Sequence, residues 1–120
     1  VSGKRSRDRG ARGELRVRDL YRSHGFQCRR NFQSGAQGMG DLVGGDLPAV
    51  IEVKNAERIL FWPWVEQAQD GIRPPFAEDE WVLHIKSNGK PPVAVVDELF
   101  LMRLFVDQRS LQRAIRTEDA

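Results

Sequence analysis

The stretch GDLVGGDLPAVIEVKN, residues 40–55, limits the folds open to this chain more than any other. Two short apolar runs flank a Gly-Gly-Asp turn, with Pro48 just beyond it. This is the pattern of a β-hairpin over residues 41–44 and 49–54. Side chains alternate between faces along a strand, so Ala49, Ile51 and Val53 point one way and Glu52 and Lys54 the other. Residues two apart on a strand are roughly 6.5–7 Å apart, a separation that suits a metal-binding carboxylate and an ammonium sharing one phosphate. Asp41 precedes the turn on the neighbouring strand and can reach back to the same place. Two acids can hold Mg²⁺, which prefers oxygen ligands, and such a metal can polarise a phosphodiester and acidify an attacking water. The plainer alternative is a hairpin with a solvated Glu–Lys face. Asp46 competes with Asp41 for the acid's role, but it sits in the turn, where Asp is favoured for local reasons.

With 120 residues and 40% apolar content, the chain has enough apolar side chains for one core and not for two. The apolar runs are short and broken by charge, so neither a membrane span nor a signal peptide is expected. Cys28 stands alone, which excludes an internal disulfide framework and a Cys-based zinc site and fits a reducing, cytoplasmic setting. Charge is distributed unevenly. Residues 1–30 carry ten bases and three acids, a net +7, against −5 for the remainder. Nearly all of these bases are Arg, which can fork two donors onto a phosphate. A basic arm feeding a basic helix is the electrostatic footprint expected for nucleic acid. Arg5, Arg7 and Arg9 belong to that footprint, although residues 1–7 serve equally as a solubilising tail. For Arg12, Arg16, Arg22, Arg29 and Arg30, phosphate contact is the expectation.

Residues 1–7 read as a flexible arm and 8–120 as a single domain. A helix is expected from about Asp8 to His24, ending at Gly25. Gly10, Gly13, Glu14, Val17, Leu20 and Tyr21 share one of its faces, so Glu14 lies on the inward stripe beside two glycines that permit close approach. A carboxylate there needs a metal or a basic partner, unless it sits at the helix edge paired to an arginine in solution. Phe26 to Asn31 reads as a strand, and residues 32–40 as a Gly-rich loop able to pass close to a backbone or substrate. Pro63 suits the first turn of a second helix to about Asp70, with Gln67 able to point towards the sheet. Trp81–Lys86 and Val93–Val96 read as strands joined through Asn88-Gly89 and Pro91-Pro92. Asp97 can cap a helix through Leu99–Phe105, followed by a polar last turn or helix over Ser110–Thr117. The order α-β-β-β-α-β-β-α makes an α/β protein, a mixed five-stranded sheet flanked by helices. His24 and His84 have no partner at metal-ligand spacing. No Gly-Lys-Ser/Thr follows a glycine run, and Ser87 and Ser110 have no nearby His to activate them.

Asp41, Glu52 and Lys54 together resemble the PD-(D/E)XK nuclease superfamily, whose motif is an Asp, a spacer, then an acid, any residue and Lys. Gly40 stands where the motif's name has Pro. From Gly10 to about Leu104 the element order is similar to that superfamily's restriction-endonuclease-like core. Within it, the chain is most similar to the archaeal-type Holliday-junction resolvases. The likeness runs through the basic N-terminal segment, Glu14, Asp41, the Glu52-x-Lys54 pair, the Ser34-Gly35 loop and the run Glu66-Gln67-Ala68. The chain is shorter and its 41–52 hairpin is compressed.

The resemblance implies a Mg²⁺-dependent, structure-selective DNA endonuclease. Glu14, Asp41 and Glu52 would bind Mg²⁺ or Mn²⁺. Lys54 would orient the water and stabilise charge on the phosphate, Gln67 would position Lys54 or the substrate, and Ser34 would lie near the junction strands. Flaps, single strands or linear duplex are alternative substrates, and a non-catalytic basic DNA-binding module is the alternative of another class. Resolving a four-way junction takes two matched cuts from chains with one catalytic set each, so a homodimer is implied. Phe61, Trp62, Trp64 and the Leu99–Phe105 run are candidate dimer surfaces. For Leu99–Phe105 the domain's own core is the favoured place.

Overall fold

The structure is a computed structural model and describes residues 2–33 and 38–119. The described residues form an α/β arrangement of three helices and five strands, in the order α1 (Ser2–Ser23), β1 (Arg29–Arg30), β2 (Leu42–Val43), β3 (Val50–Asn55), α2 (Phe61–Asp70), β4 (Trp81–Lys86), β5 (Val93–Val96) and α3 (Glu98–Asp119). The strands form one mixed, open sheet in sequence order. Only β3 and β4 run parallel, joined by the α2 crossover; the other neighbours are antiparallel. Among the described residues, no helix is long and apolar enough to cross a membrane.

The alternation along β3 and β4 divides the core in two. Ala49, Ile51, Val53 and Val82 face α1 and pack with Val17, Cys28, Leu42, Leu47 and Phe100. Leu83 and Ile85 face α2 and pack with Trp64, Val65, Ala68 and Trp81. Glu52 and Lys54 therefore emerge on the α2 side, next to Leu83 and Ile85 in register. The β2 strand is only two residues long and meets β3 at Leu42 and Ile51, which leaves Val53–Asn55 without a strand on that side. The α1 helix closes in at this open edge. Gly13 makes this possible, since a Cβ there would lie 2.7 Å from the Asn55 Cβ.

Three expectations change. The helix begins at Ser2, so the basic segment read as a flexible arm over residues 1–7 is helical from residue 2. Its residues are mostly Arg, Lys and Ser with no proline, and long straight side chains carry little helix penalty. The expected first strand shrinks to Arg29–Arg30, because β2 offers only Leu42 and Val43 as partners. Thirdly, α3 is one continuous helix, opened by Asp97, whose Oδ1 accepts the Leu99 and Phe100 amides at 2.8 and 3.3 Å. Of the Leu99–Phe105 run, only Phe100 enters the core. Leu99, Met102, Leu104 and Phe105 are exposed, as are Leu111 and Ile115 further along. At 100° per residue they fall in two stripes, Leu99, Met102 and Phe105 on one side and Leu104, Leu111 and Ile115 on the other, and among the described residues both stay exposed.

Candidate active site

The site forms where β2 and β3 part. Asp41 sits directly before β2, its backbone tied to Ile51 O at 2.7 Å and its Oδ2 accepting the Val53 amide at 2.8 Å. The approach to Asp41 runs through Gly38, Met39 and Gly40, with φ of 73, 70 and 74°. A proline, locked near −65°, could not adopt the Gly40 conformation, and any Cβ there would collide with the Ile51 carbonyl. Gly40 is thus the residue this turn requires. Asn31 holds the turn in place, donating from Nδ2 to Gly40 O at 3.0 Å, while its amide meets Asp41 O at 2.8 Å. Met39 N donates to Gly71 O at 2.6 Å, fastening the same turn to the end of α2.

Asp41 and Glu52 are both buried, at 9% and 5% exposure. Burial pushes the Glu52 carboxyl up to about 8, and the neighbouring Asp41, as a like charge and hydrogen-bond partner, adds to the rise. Lys54 works the other way, its Nζ 3.9 Å from Glu52 Oε1. Glu14 projects from α1 towards the same place. Burial and Asp41 raise its carboxyl, while Arg30, donating from Nε at 3.1 Å, offsets them.

Around these groups lies a cleft with two lobes. One, about 370 Å³, is lined by Gly38, Gly40, Asp41, Glu52 and residues of α2 including Pro63, Glu66, Gln67 and Asp70. The other, about 310 Å³, joins Ser6, Arg9 and Glu14 of α1 to Asp41, Glu52, Lys54, Trp64 and Gln67. Gln67 and the two buried acids are common to both. The structure therefore brings Glu14, Asp41, Glu52, Lys54 and Gln67 around one depression. Asp46 lies apart from it and accepts the Gln27 amide at 3.0 Å, a loop staple.

The donor set fits a hard divalent cation. Asp41 and Glu52 are all-oxygen donors, buried and like-charged, and a cation would offset the burial and the repulsion that together raise Glu52. Among the described residues, no three acidic, His or Cys side chains are already gathered as a ligand cage. Asp41 and Glu52 make the primary pair, and Glu14 is drawn aside by Arg30.

The arginines divide into distinct roles. Arg5, Arg7, Arg12 and Arg29 are exposed. Arg9 lines the cleft and pairs with Glu57 at 3.1 Å. Arg30 binds Glu14 and lies 4.9 Å from the Phe32 ring centroid. Two of the arginines expected at phosphate also have a place within the fold. Arg16 is drawn inward, its Nε buried without a hydrogen-bond partner, and Arg22 donates to Cys28 O at 2.9 Å. Ser34 lies outside the described residues. Sequence reasoning missed Asn31, whose local signal is only an Asn beside a Gly-rich loop, and the pairing of Arg30 with Glu14.

Comparison with protein families, curated proteins and solved structures finds no match to this chain.

Proposed function

We propose that this protein is a metal-dependent DNA endonuclease with a restriction-endonuclease-like core, acting on branched DNA and resolving four-way junctions. The observation that carries the reading is the buried Asp41–Glu52 pair with Lys54 two residues on, at the floor of a cleft with arginine-bearing α1 as one wall. A buried like-charged pair costs stability unless it serves a cation, and a strand lysine beside it suits a phosphate.

In this reading Asp41 and Glu52 hold Mg²⁺ or Mn²⁺, with Glu14 as the outer acid. The cation supplies Lewis-acid activation of the phosphodiester and a more acidic water. Lys54 places a positive charge where negative charge grows on the phosphate, and orients the water. Gln67, shared by both lobes, positions Lys54 or the substrate. Arg5, Arg7, Arg9, Arg12 and Arg29 supply phosphate contacts that fix the DNA without reading its sequence. Hydrolysis in line with the leaving 3′ oxygen yields a 5′ phosphate. Two matched cuts take two chains, and the uncovered apolar face of α3 is the surface we assign to the homodimer. A reducing, cytoplasmic setting belongs to the same reading.

The test uses a labelled immobile four-way junction and a matching duplex, with wild type and Glu52→Ala, in Mg²⁺ and in EDTA. The expected result is paired nicks on the junction alone, lost in EDTA and in the variant. Equal cutting of the duplex would keep the nuclease and remove the junction role. Salt-sensitive binding with no cutting would leave a DNA-binding module.

A further inference from the structure

Four consecutive apolar residues, Ile59 and Leu60 before α2 and Phe61 and Trp62 in its first turn, are exposed. Trp62 is the most open of them at 68%. The other two tryptophans, Trp64 and Trp81, are in the core. The exposed pair is ordered: Phe61 and Trp62 stand edge to face, centroids 5.0 Å apart at 87°. Helix α2 seats them, because Trp64 and Val65 are anchored in the core one turn on and Pro63 fixes its own φ within the first turn. An indole held open on a rigid support contributes nothing to the fold that a polar residue would not supply.

Its neighbours indicate what it meets. Pro63, next in the chain, lines the cleft with Asp41, Glu52 and Gln67. Trp64 lines the adjoining lobe with Arg9, Glu14 and Lys54. Phe61 and Trp62 are outside the lining itself, but Trp62 lies one helical turn before Glu66, which lines the first lobe, and this sets the pair beside a depression whose chemistry suits a phosphodiester. A DNA strand passing over that depression brings bases as well as phosphates. In continuous duplex both faces of every base are stacked on neighbours, so an indole has nothing to cover. Where stacking is interrupted a base face is free, and an aromatic platform gains from covering it.

We propose that Trp62, supported by Phe61, is a stacking platform for an unstacked nucleobase next to the scissile phosphate, and that it makes the protein prefer DNA with a break in stacking over continuous duplex. The proposal rests on the nuclease reading of the adjoining cleft. It makes Trp62 a specificity-determining residue, with no part in the bond-breaking step.

The test measures affinity in EDTA, where nothing is cut, for a synthetic four-way junction and for a continuous duplex of equal length. The quantity read is the ratio of the two affinities for wild type, Trp62→Ala and Trp62→Phe. Trp62→Ala should lower the ratio about tenfold or more, and Trp62→Phe should restore most of it. A 2-aminopurine placed at the branch point should be quenched on binding wild type and not on binding Trp62→Ala. Equal affinity of the wild type for both DNAs, or a ratio that survives Trp62→Ala, overturns the proposal. So does light scattering in which Trp62→Ala turns a dimer into a monomer, which would assign the pair to a second copy of the chain. The two readings fail separately. If Mg²⁺ never supports cutting yet the ratio still collapses in Trp62→Ala, the stacking site stands and the nuclease reading falls; metal-dependent cutting with an unmoved ratio gives the reverse.

Discussion

Glu52, buried, and His84, half-buried, are two ionisable groups on neighbouring strands, on opposite faces of one sheet. His84 is the register partner of Val53, the residue after Glu52. Both titrate far from their ordinary range, Glu52 up to about 8 and His84 down to about 4, and in both the first cause is burial. The second cause separates them. For His84 it is the approach of Arg16, and the neutral ring is satisfied, Nε2 lying 2.9 Å from the Tyr21 hydroxyl with the Tyr21 ring edge-on at 5.4 Å. For Glu52 it is a second carboxylate, and the cleft opens beside it. A perturbed pKa alone marks burial; a second carboxylate beside a cleft is the stronger sign of a site. In the proposed function, Tyr21–His84 belongs to the packing and Asp41–Glu52 to the chemistry.

The sharpest way to break this contrast is to alter each pair and assay cleavage of a branched substrate. Glu52→Ala and Asp41→Ala should each lower the cutting rate by roughly a thousandfold or more, since several kcal/mol of charge stabilisation would be lost. DNA binding should persist or tighten, because a negative charge near phosphate has gone. Tyr21→Phe, on the other face of the sheet, should cut within about twofold of wild type at a temperature where it is folded. Wild-type cutting by either acid variant, or an equal collapse in Tyr21→Phe, would erase the distinction.

The next effect is on stability, and the two pairs respond to pH with opposite sign. His84 is neutral in the fold, while the unfolded chain takes up a proton as pH drops below 6.5. Its contribution is therefore complete above about 6.5, falls as pH drops towards about 4 and stays lost below that, roughly 3 kcal/mol in all. Urea unfolding of Glu52→Gln, which lacks the opposing Glu52 titration, should show this slope between pH 7 and 4, and adding His84→Leu should flatten it. Glu52 behaves in reverse. The fold keeps its proton up to about 8, while the unfolded carboxyl ionises above its ordinary 4.5, so stability falls as pH rises across that interval.

Removing the buried charge should accordingly help. Glu52→Gln in EDTA at pH 8 should be more stable than wild type by about 1–3 kcal/mol, because an amide has no ionised form to desolvate. Mg²⁺ should raise the wild-type melting temperature more at pH 8 than at pH 5.5, as cation and proton compete for the same oxygens. Glu52→Gln should lose most of that gain. A Mg²⁺ effect equal at both pH values and in both proteins would detach the cation from Glu52.

Legibility in the sequence follows a physical divide. Strands β4 and β5 are readable to the residue, because apolar runs end at Asn-Gly and Pro-Pro punctuation. Asp41, Glu52 and Lys54 are readable because alternation along one hairpin decides their faces. The first strand is not, since its length is set by its partner: β2 ends where Gly44 presses on the Gln27 backbone. Nor is the partner of Glu14, because Arg30 reaches it from another element. Leu99–Phe105 shows the limit most plainly. Periodicity tells which side chains share a face, but nothing local tells whether a surface waits opposite, and here only Phe100 finds one.

The smallest predicted effect tests the packed side of the contrast. Tyr21→Phe removes one hydroxyl and leaves the ring, its contact with Phe26 at 5.6 Å and its edge-on approach to His84 intact. The loss should be about 1 kcal/mol in urea unfolding at pH 7.5, one part-buried hydrogen bond between neutral groups. A hydroxyl that donates to unprotonated Nε2 favours the neutral ring, so in that tautomer its loss should let the ring protonate more readily and move the acid slope to higher pH. That displacement, read by titrating the His84 ring protons by NMR, is the decisive part. If the ring titrates at the same pH with and without the hydroxyl, burial and Arg16 alone hold it neutral, and the Tyr21 bond does not hold the ring in its neutral form.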